Sequence, residues 1–281
     1  MGGISALTLQ RADTVLLCSD MHLDDAEPDR TAGFVHWLNH ESQDATWVLL
    51  LGDVFDAWVG DDQMSVDAGT DPPPAWKMLA DCLAQMRRDR PDRPLQVGLL
   101  VGNRDFLIGP ALCERLSAVL LAPFVTLSHP GLAAGPALLC HGDELCTADS
   151  AYQAWRSQAR SEDWQKSFLS RPLKERIEMA RALRARSEEE KTEKPMALMD
   201  VVSEEADAVL HRYGAEVLVH GHTHLPGCTA LPSGRPRWVL PDWSFASGEQ
   251  RGGGLRIDSG GLRSVPLFPG RPPVSGTAVC R

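Results

Sequence analysis

Seven oxygen and nitrogen donors are spread over five short blocks of this chain. They are Asp20 and His22 in Ser19-Asp20-Met21-His22, Asp53 in Gly52-Asp53-Val54-Phe55-Asp56, Asn103 in Gly102-Asn103-Arg104-Asp105, His141 in His141-Gly142-Asp143, and His222 and His224 in Gly221-His222-Thr223-His224. Taken singly, an Asp-x-His or a Gly-His-x-His is ordinary turn or surface chemistry. Five such blocks, most of them directly after an apolar run, point to a pair of divalent cations. At a strand end, residues two apart point the same way, so Asp20 and His22 can reach one ion. Asp53 has two carboxylate oxygens and can bridge two ions. The resulting distribution is Asp20, His22, Asp53 and His224 around one ion, and Asp53, Asn103, His141 and His222 around the other. Oxygen and imidazole donors without a thiolate suit Mn, Fe, Zn or Co, with Mn²⁺ the first choice. Two dications outweigh two aspartates, and the positive charge left over suits a hydroxide and a phosphate oxygen. A water held by such ions loses its proton near neutral pH, and ions about 3.5–4 Å apart stabilise attacking and leaving oxygens together. The chemistry indicated is hydrolysis at phosphorus.

The elements that must carry these donors are legible as apolar runs. Thr14–Cys18, Trp47–Leu51, Val97–Val101, Ala137–Cys140 and Glu216–Val219 read as short strands buried on both faces, each leading into a donor block. Helical stretches at Thr31–Asn39, Ala75–Arg88 and Gly109–Leu116 alternate with them, the pattern of a layered α/β fold with its site just past the strand ends. From 149 to about 213 the rhythm changes to helix throughout: Ala151–Arg160, Asp163–Leu169, Leu173–Arg186 and Ala197–Tyr213. Leu173, Ile177, Ala180 and Leu183 form one apolar stripe there, with Trp155, Trp164, Phe168 and Leu169 adding bulk. Trp155–Pro195 holds 11 Lys/Arg against 8 Asp/Glu, a locally basic segment in an acidic chain. It reads either as a solvated helical insert or as a cap over the metal site. Arg251–Ile257 and Leu262–Leu267 form a hairpin pattern, and the tail 269–281 reads as disordered. A single domain over 1–268 with a cap inserted at about 149–213 is the expected organisation.

The net charge of −10 argues against bulk nucleic-acid binding but not against an anionic substrate, since metals reverse the local sign. Seven cysteines (18, 82, 113, 140, 146, 228 and 280) include no C-x-x-C pair and are odd in number, which favours reduced side chains acting as small apolar filler. No run is long enough to span a bilayer, and the N-terminus carries no signal-peptide core. A cytoplasmic location is expected. His36, His40, His129 and His211 have no partner motif and read as surface residues. His220, next to the last donor block, stays open between a supporting and a structural role.

Together the blocks resemble the calcineurin-like metallophosphoesterase superfamily. Their longer forms, SDMHL at 19–23, GDVFDAWVGDD at 52–62, GNRDFLIG at 102–109, HGDELCTADSAYQ at 141–153, MDV at 199–201 and GHTHLP at 221–226, resemble the UDP-2,3-diacylglucosamine diphosphatases of lipid A synthesis. The similarity extends over about residues 14 to 260. The resemblance implies a two-layer β-sandwich flanked by helices, with an inserted helical cap and a binuclear metal centre. It implies attack at the α-phosphorus of UDP-2,3-diacylglucosamine, giving UMP and 2,3-diacylglucosamine 1-phosphate. Arg104 and His222 carry over as catalytic groups. Asn103, Arg104, Asp149, Ser187, Lys191, Lys194 and His222 carry over as substrate contacts. Lys191 stands where relatives often have a small polar residue. A surface ion pair with Asp105 or another acid is the competing role for Arg104, and an N-cap is the competing role for Asp149. The resemblance also makes the cap an apolar chamber for two acyl chains, on a monomer that docks peripherally on the anionic cytoplasmic face of the inner membrane. The alternatives are another binuclear-metal phosphodiesterase or pyrophosphatase acting on nucleotides, and a non-catalytic metal-stabilised scaffold.

Overall fold

The computed structural model describes residues 3–65, 71–193, 199–246 and 249–268, with side chains of the helix Leu173–Glu193 described only as far as 186. The core is two six-stranded sheets. One has the order β12-β11-β2-β3-β4-β5, from β2 (Val15–Cys18), β3 (Trp47–Leu51), β4 (Gln96–Leu100), β5 (Val119–Leu120), β11 (Gly253–Asp258) and β12 (Gly261–Pro266). The other has the order β1-β6-β7-β8-β10-β9, from β1 (Ile4–Thr8), β6 (Phe124–Ser128), β7 (Ala137–Leu139), β8 (Val217–His220), β9 (Gly227–Ala230) and β10 (Pro236–Val239).

The strands are apolar on both faces because both faces are covered. Along β3, Leu49 and Leu51 point into the layer between the sheets, where they meet Val125, Leu127, Leu139 and Val219. Val48 and Leu50 point the other way, onto Phe34, Trp37 and Leu38 of α1 (Pro28–Glu41) and Leu79 and Leu83 of α2 (Ala75–Arg88). α3 (Pro110–Leu116) completes that outer layer. On the far sheet, Leu138 and Leu218 pack against Ala206, Val209 and Leu210 of α7 (Ser203–Tyr213). Each such fully buried side chain contributes about 1.5–3 kcal/mol. Parallel pairing of β2, β3 and β4 brings three donor blocks to the same edge of one sheet. β7 and β8, also parallel, bring the other two from the second sheet.

Between β7 and β8 the chain forms α4 (Ser150–Ala159), α5 (Glu162–Leu169), α6 (Leu173–Glu193) and α7. Phe106 and Leu107 of the core pack with Trp164, Phe168, Leu173, Ile177 and Ala180, so part of the predicted stripe faces inward as expected. Buried Arg176 fastens α6 to the core through the Val59 carbonyl and the Asp62 carboxylate. The stretch predicted as helix from Ala197 is not continuous. Asp200–Val202 is irregular, because the Asp200 carboxylate accepts from the next N–H (2.7 Å) and Val202 N donates to the Leu145 carbonyl instead of to a helical turn. Residues 194–198 and the tail 269–281 lie outside the described residues. Cys18, Cys82, Cys113, Cys140 and Cys146 are free, whereas Cys228 is disulfide-bonded, an exception to the expectation of reduced cysteines. Among the described residues no helix is long and apolar enough to cross a membrane.

Candidate metal centre and substrate cavity

All seven predicted donors meet at one edge of the sandwich. The loops after β2 and β3 run on together: Asp20 N donates to the Gly52 carbonyl (3.2 Å), His22 N to Asp53 O (3.0 Å) and Leu23 N to Val54 O (2.9 Å). Donors then face inward at backbone geometries that side-chain-bearing residues seldom adopt. Asp20 (φ 55°), His22 (48°), Asp53 (50°), His222 (64°) and His224 (54°) all lie in the left-handed region. Each such residue costs about 1–3 kcal/mol, so the surrounding structure must hold it. Close packing of the loops also requires glycine at 52 (φ 85°), where a Cβ would stand 2.5 Å from His141 Nδ1.

Two groups of donors form. Asp20, His22 and His224 come together, with His224 Nε2 3.3 Å from Asp20 Oδ1 and 3.4 Å from His22 Nε2. Asp20, Asp53 and His141 form a second cluster whose donor atoms lie within 4.8 Å of one another. Asn103 Oδ1 lies 3.0 Å from His141 Nε2 and 2.9 Å from His222 Nδ1. His222 and His224 thus face different groups.

The donor chemistry fits cations. His141 Nδ1 donates to the Leu51 carbonyl (2.9 Å), which leaves the lone pair of a neutral ring on Nε2, aimed at the Asn103 and Asp53 oxygens. In the metal-free protein a proton on Nε2 bridges the ring to those oxygens, and a cation would take its place. Asp20 Oδ1 is buried with no well-formed hydrogen bond among the described residues. Burial opposes a charge on His141, but Asp53, Asp20 and Asp143 outweigh it and push the ring up to about 9. The local field therefore calls for positive charge, which divalent ions supply.

Several supporting residues escaped the sequence reading. Asp105 does not pair with Arg104. It is fully buried and accepts from the backbone of Gly102 (2.7 Å), Val54 (2.7 Å) and Asp53 (3.3 Å), binding the second and third donor loops together. Burial and the adjacent Asp53 charge both push its carboxyl upward. Asp143 accepts from Tyr152 Oη (2.8 Å) and Arg156 Nε (2.6 Å), tying α4 to the His141 loop. Asp242, which no motif marks, lies 3.6 Å from His224 Nδ1 and is paired with Arg251 (2.7 Å). His129, expected at the surface, is buried: its Nδ1 accepts from Gly131 N (2.9 Å) and its Nε2 lies 3.1 Å from Asp13 O.

Arg104 reaches Asp56 through Nη1 (2.9 Å), with Nε 3.7 Å from Asp53 Oδ2. Asp56 is also paired with Arg184 of α6. Asp149 caps α4, accepting from Tyr152 N (3.0 Å), and lines the cavity above the donors as well. Ser187 and Lys191 fall where no side chain is described, and Lys194 lies outside the described residues. The cavity measures about 580 Å³. Its lining includes Asp53, Asn103, Arg104, His222 and His224 and also Trp155, Trp164, Phe168, Ala180 and Leu183, of which Trp164, Phe168 and Ala180 belong to one apolar cluster.

The sequence pattern of the calcineurin-like phosphoesterases matches residues 14–226, most of the chain and every donor block. The chain belongs to the calcineurin-like phosphoesterase family. It is a metal-dependent hydrolase. Among its relatives, the UDP-2,3-diacylglucosamine hydrolase of Bordetella pertussis is 41% identical over 255 residues, covering 89% of this chain and 94% of the relative. The protein of that name from Marinobacter nauticus is 40% identical over 82% of this chain and 89% of its own length. The one from Xanthomonas campestris pv. campestris is 36% identical over 89% and 97%.

Proposed function

We propose that this phosphoesterase hydrolyses the pyrophosphate bond of UDP-2,3-diacylglucosamine, releasing UMP and 2,3-diacylglucosamine 1-phosphate. The observation that carries the reading is the cavity, lined both by the candidate metal donors and by an apolar cluster of α5 and α6. Its volume is in the usual range for small-molecule sites. An amphiphile with a diphosphate beside acyl chains matches that lining, and the relatives' names agree with it.

Asp20, His22, Asp53 and His224 would hold one ion, and Asp53, Asn103, His141 and His222 the other, with Mn²⁺ the ion assigned. When bound, two such ions supply an activated water and charge stabilisation at phosphorus. The chain's own residues do the rest. Arg104, preset by Asp56, offers a planar fork to the diphosphate oxygens. His222 faces the same space from the opposite loop. Asp149, Ser187, Lys191 and Lys194 are assigned to the nucleotide–sugar. Asp149 already has its backbone position fixed by capping α4. The leaving group is a phosphate monoester, so positioning and charge stabilisation suffice without a strong general acid. Trp164, Phe168 and Ala180 would exclude water from the acyl chains, each buried CH₂ contributing about 0.8 kcal/mol.

Assay against UDP-2,3-diacylglucosamine, UDP-glucosamine and a simple aryl phosphodiester tests the assignment. The acylated substrate is expected to be preferred by orders of magnitude in kcat/KM. Comparable turnover of UDP-glucosamine would defeat the lipid reading and favour a general nucleotide phosphodiesterase.

The cap also suggests where the lipid is met. Leu169 and Leu183 are exposed, with Arg171, Lys174 and Arg181 exposed near them. Each basic residue near an anionic bilayer contributes about 1 kcal/mol. These residues support the proposed peripheral docking of a cytoplasmic monomer, and co-sedimentation with anionic vesicles is expected to fall as salt rises. Salt-independent partitioning would contradict the electrostatic part.

A further inference from the structure

His222 sits at the apex of a tight turn in which Thr223 N donates to the Gly221 carbonyl at 2.7 Å, around a residue with φ 64°. Such i to i+2 turns about a positive-φ residue are rare and strained. Something must hold this one. On one side His222 N donates to Asp20 Oδ2 (2.9 Å). On the other, the Gly221 carbonyl is met by His220 Nδ1 at 2.8 Å.

The direction of that second bond is fixed by what stands behind the ring. Arg237 Nε lies 2.8 Å from His220 Nε2, and a guanidinium only donates. His220 Nε2 therefore carries the lone pair, Nδ1 carries the hydrogen, and Nδ1–H donates to Gly221 O. Arg237 is in turn held by Asp200, whose Oδ1 lies 2.5 Å from Nη2. Arg237 lies on β10, pairing with β8, so the strands that deliver His220 also deliver its partner. His220 and Arg237 are buried, and Asp200 belongs to the irregular segment where the chain returns from the cap. Gly221 tolerates no side chain here, since a Cβ would strike Ser19 Oγ and Asp20 Oδ2, so the loop cannot relax toward that side.

We propose that His220 and Arg237 are positioning residues for the metal centre: the row Asp200–Arg237–His220 pins the Gly221 carbonyl, and with it the turn that presents His222. The proposal rests on the reading of His222 as a metal donor. It also links the return from the cap to the metal loop through side chains alone.

Two substitutions separate this role from ordinary packing. His220→Asn places an amide N–H where Nδ1 stood and keeps donation to Gly221 O, but leaves buried Arg237 Nε without its acceptor. His220→Gln places an amide oxygen where Nε2 stood and keeps Arg237 satisfied, but loses the bond to Gly221 O. Metal-free thermal melting and Mn²⁺ titration by calorimetry are read on the full chain. The Gln variant is expected to bind Mn²⁺ about 10–100-fold more weakly at one site, while the Asn variant stays within about threefold of wild type. Stability is expected to rank in the opposite order, because the Asn variant leaves a charged donor unpaired. Metal affinity that follows stability, or is unchanged in the Gln variant, overturns the proposal. Should the Asn variant not fold, Asp200→Ala is read in its place. Its side chain is 31% exposed, and its loss releases Arg237. It should weaken Mn²⁺ binding severalfold, and an unchanged affinity overturns the proposal. Wild type is the control: no Mn²⁺ bound there would refute the metal centre itself, whereas normal binding with indifferent variants refutes only the positioning role.

Discussion

Asp53→Asn is expected to lower turnover by on the order of 10³-fold or more, while the metal-free protein melts no earlier than wild type. The side chain is fully enclosed between the two donor groups. Its Oδ1 accepts from Arg104 N (2.8 Å) and lies 3.6 Å from His141 Nε2. Burial, and the nearby Asp20 charge, push its carboxyl upward, so the charged form is held there at a cost to the metal-free fold. Asparagine keeps the shape and tolerates the left-handed backbone, but has a single, neutral oxygen with which to serve two ions. A metal pair stabilises the transition state by several kcal/mol, and each 1.36 kcal/mol is about tenfold in rate. Steady-state turnover at saturating Mn²⁺, beside a melt of the metal-free protein, checks both halves. Activity within tenfold of wild type would show that Asp53 does not bridge.

Arg104→Lys is expected to reduce kcat/KM by about 10²–10³-fold with metal content unchanged, the magnitude typical of losing one donor aimed at developing charge. Charge alone is not the issue. Arg104 uses Nη1 on Asp56 (2.9 Å), which fixes the plane of the guanidinium where it lines the cavity. An ammonium satisfies Asp56 or the diphosphate, not both in one geometry. The backbone N–H of residue 104 still donates to Asp53, so the metal loops stay in place. Kinetics together with metal analysis separate the two contributions, and near-wild-type kcat/KM in the lysine variant would remove Arg104 from the reaction.

Much of this architecture is written locally. Val15–Cys18, Trp47–Leu51 and Gln96–Leu100 are apolar at every or nearly every position because sheet and helices cover both faces, and that pattern is visible without a fold. The donor blocks are legible because they follow those runs directly. β1 and β6 were not, because their residues alternate in burial and include Ser and Thr, which a short window cannot tell from a loop. The left-handed geometry of five donors leaves no local mark, since none of them is glycine; it is set by contacts with other loops. Asp242 reaches His224 only through the approach of a distant segment, so its sequence neighbourhood offers no sign. His129 was misread for the same reason: its partner Asp13 is 116 residues away. The break at Asp200–Val202 depends on Arg237 and Leu145, both remote in sequence.

The central claim is that the seven donors hold a pair of ions. Mn²⁺ stoichiometry on the purified, active protein tests it directly, by loading with Mn²⁺, removing excess and counting ions per chain by elemental analysis. Two per chain are predicted, falling together with activity on chelation and returning with it on reloading. A fully active protein holding no more than one ion per chain would contradict the account.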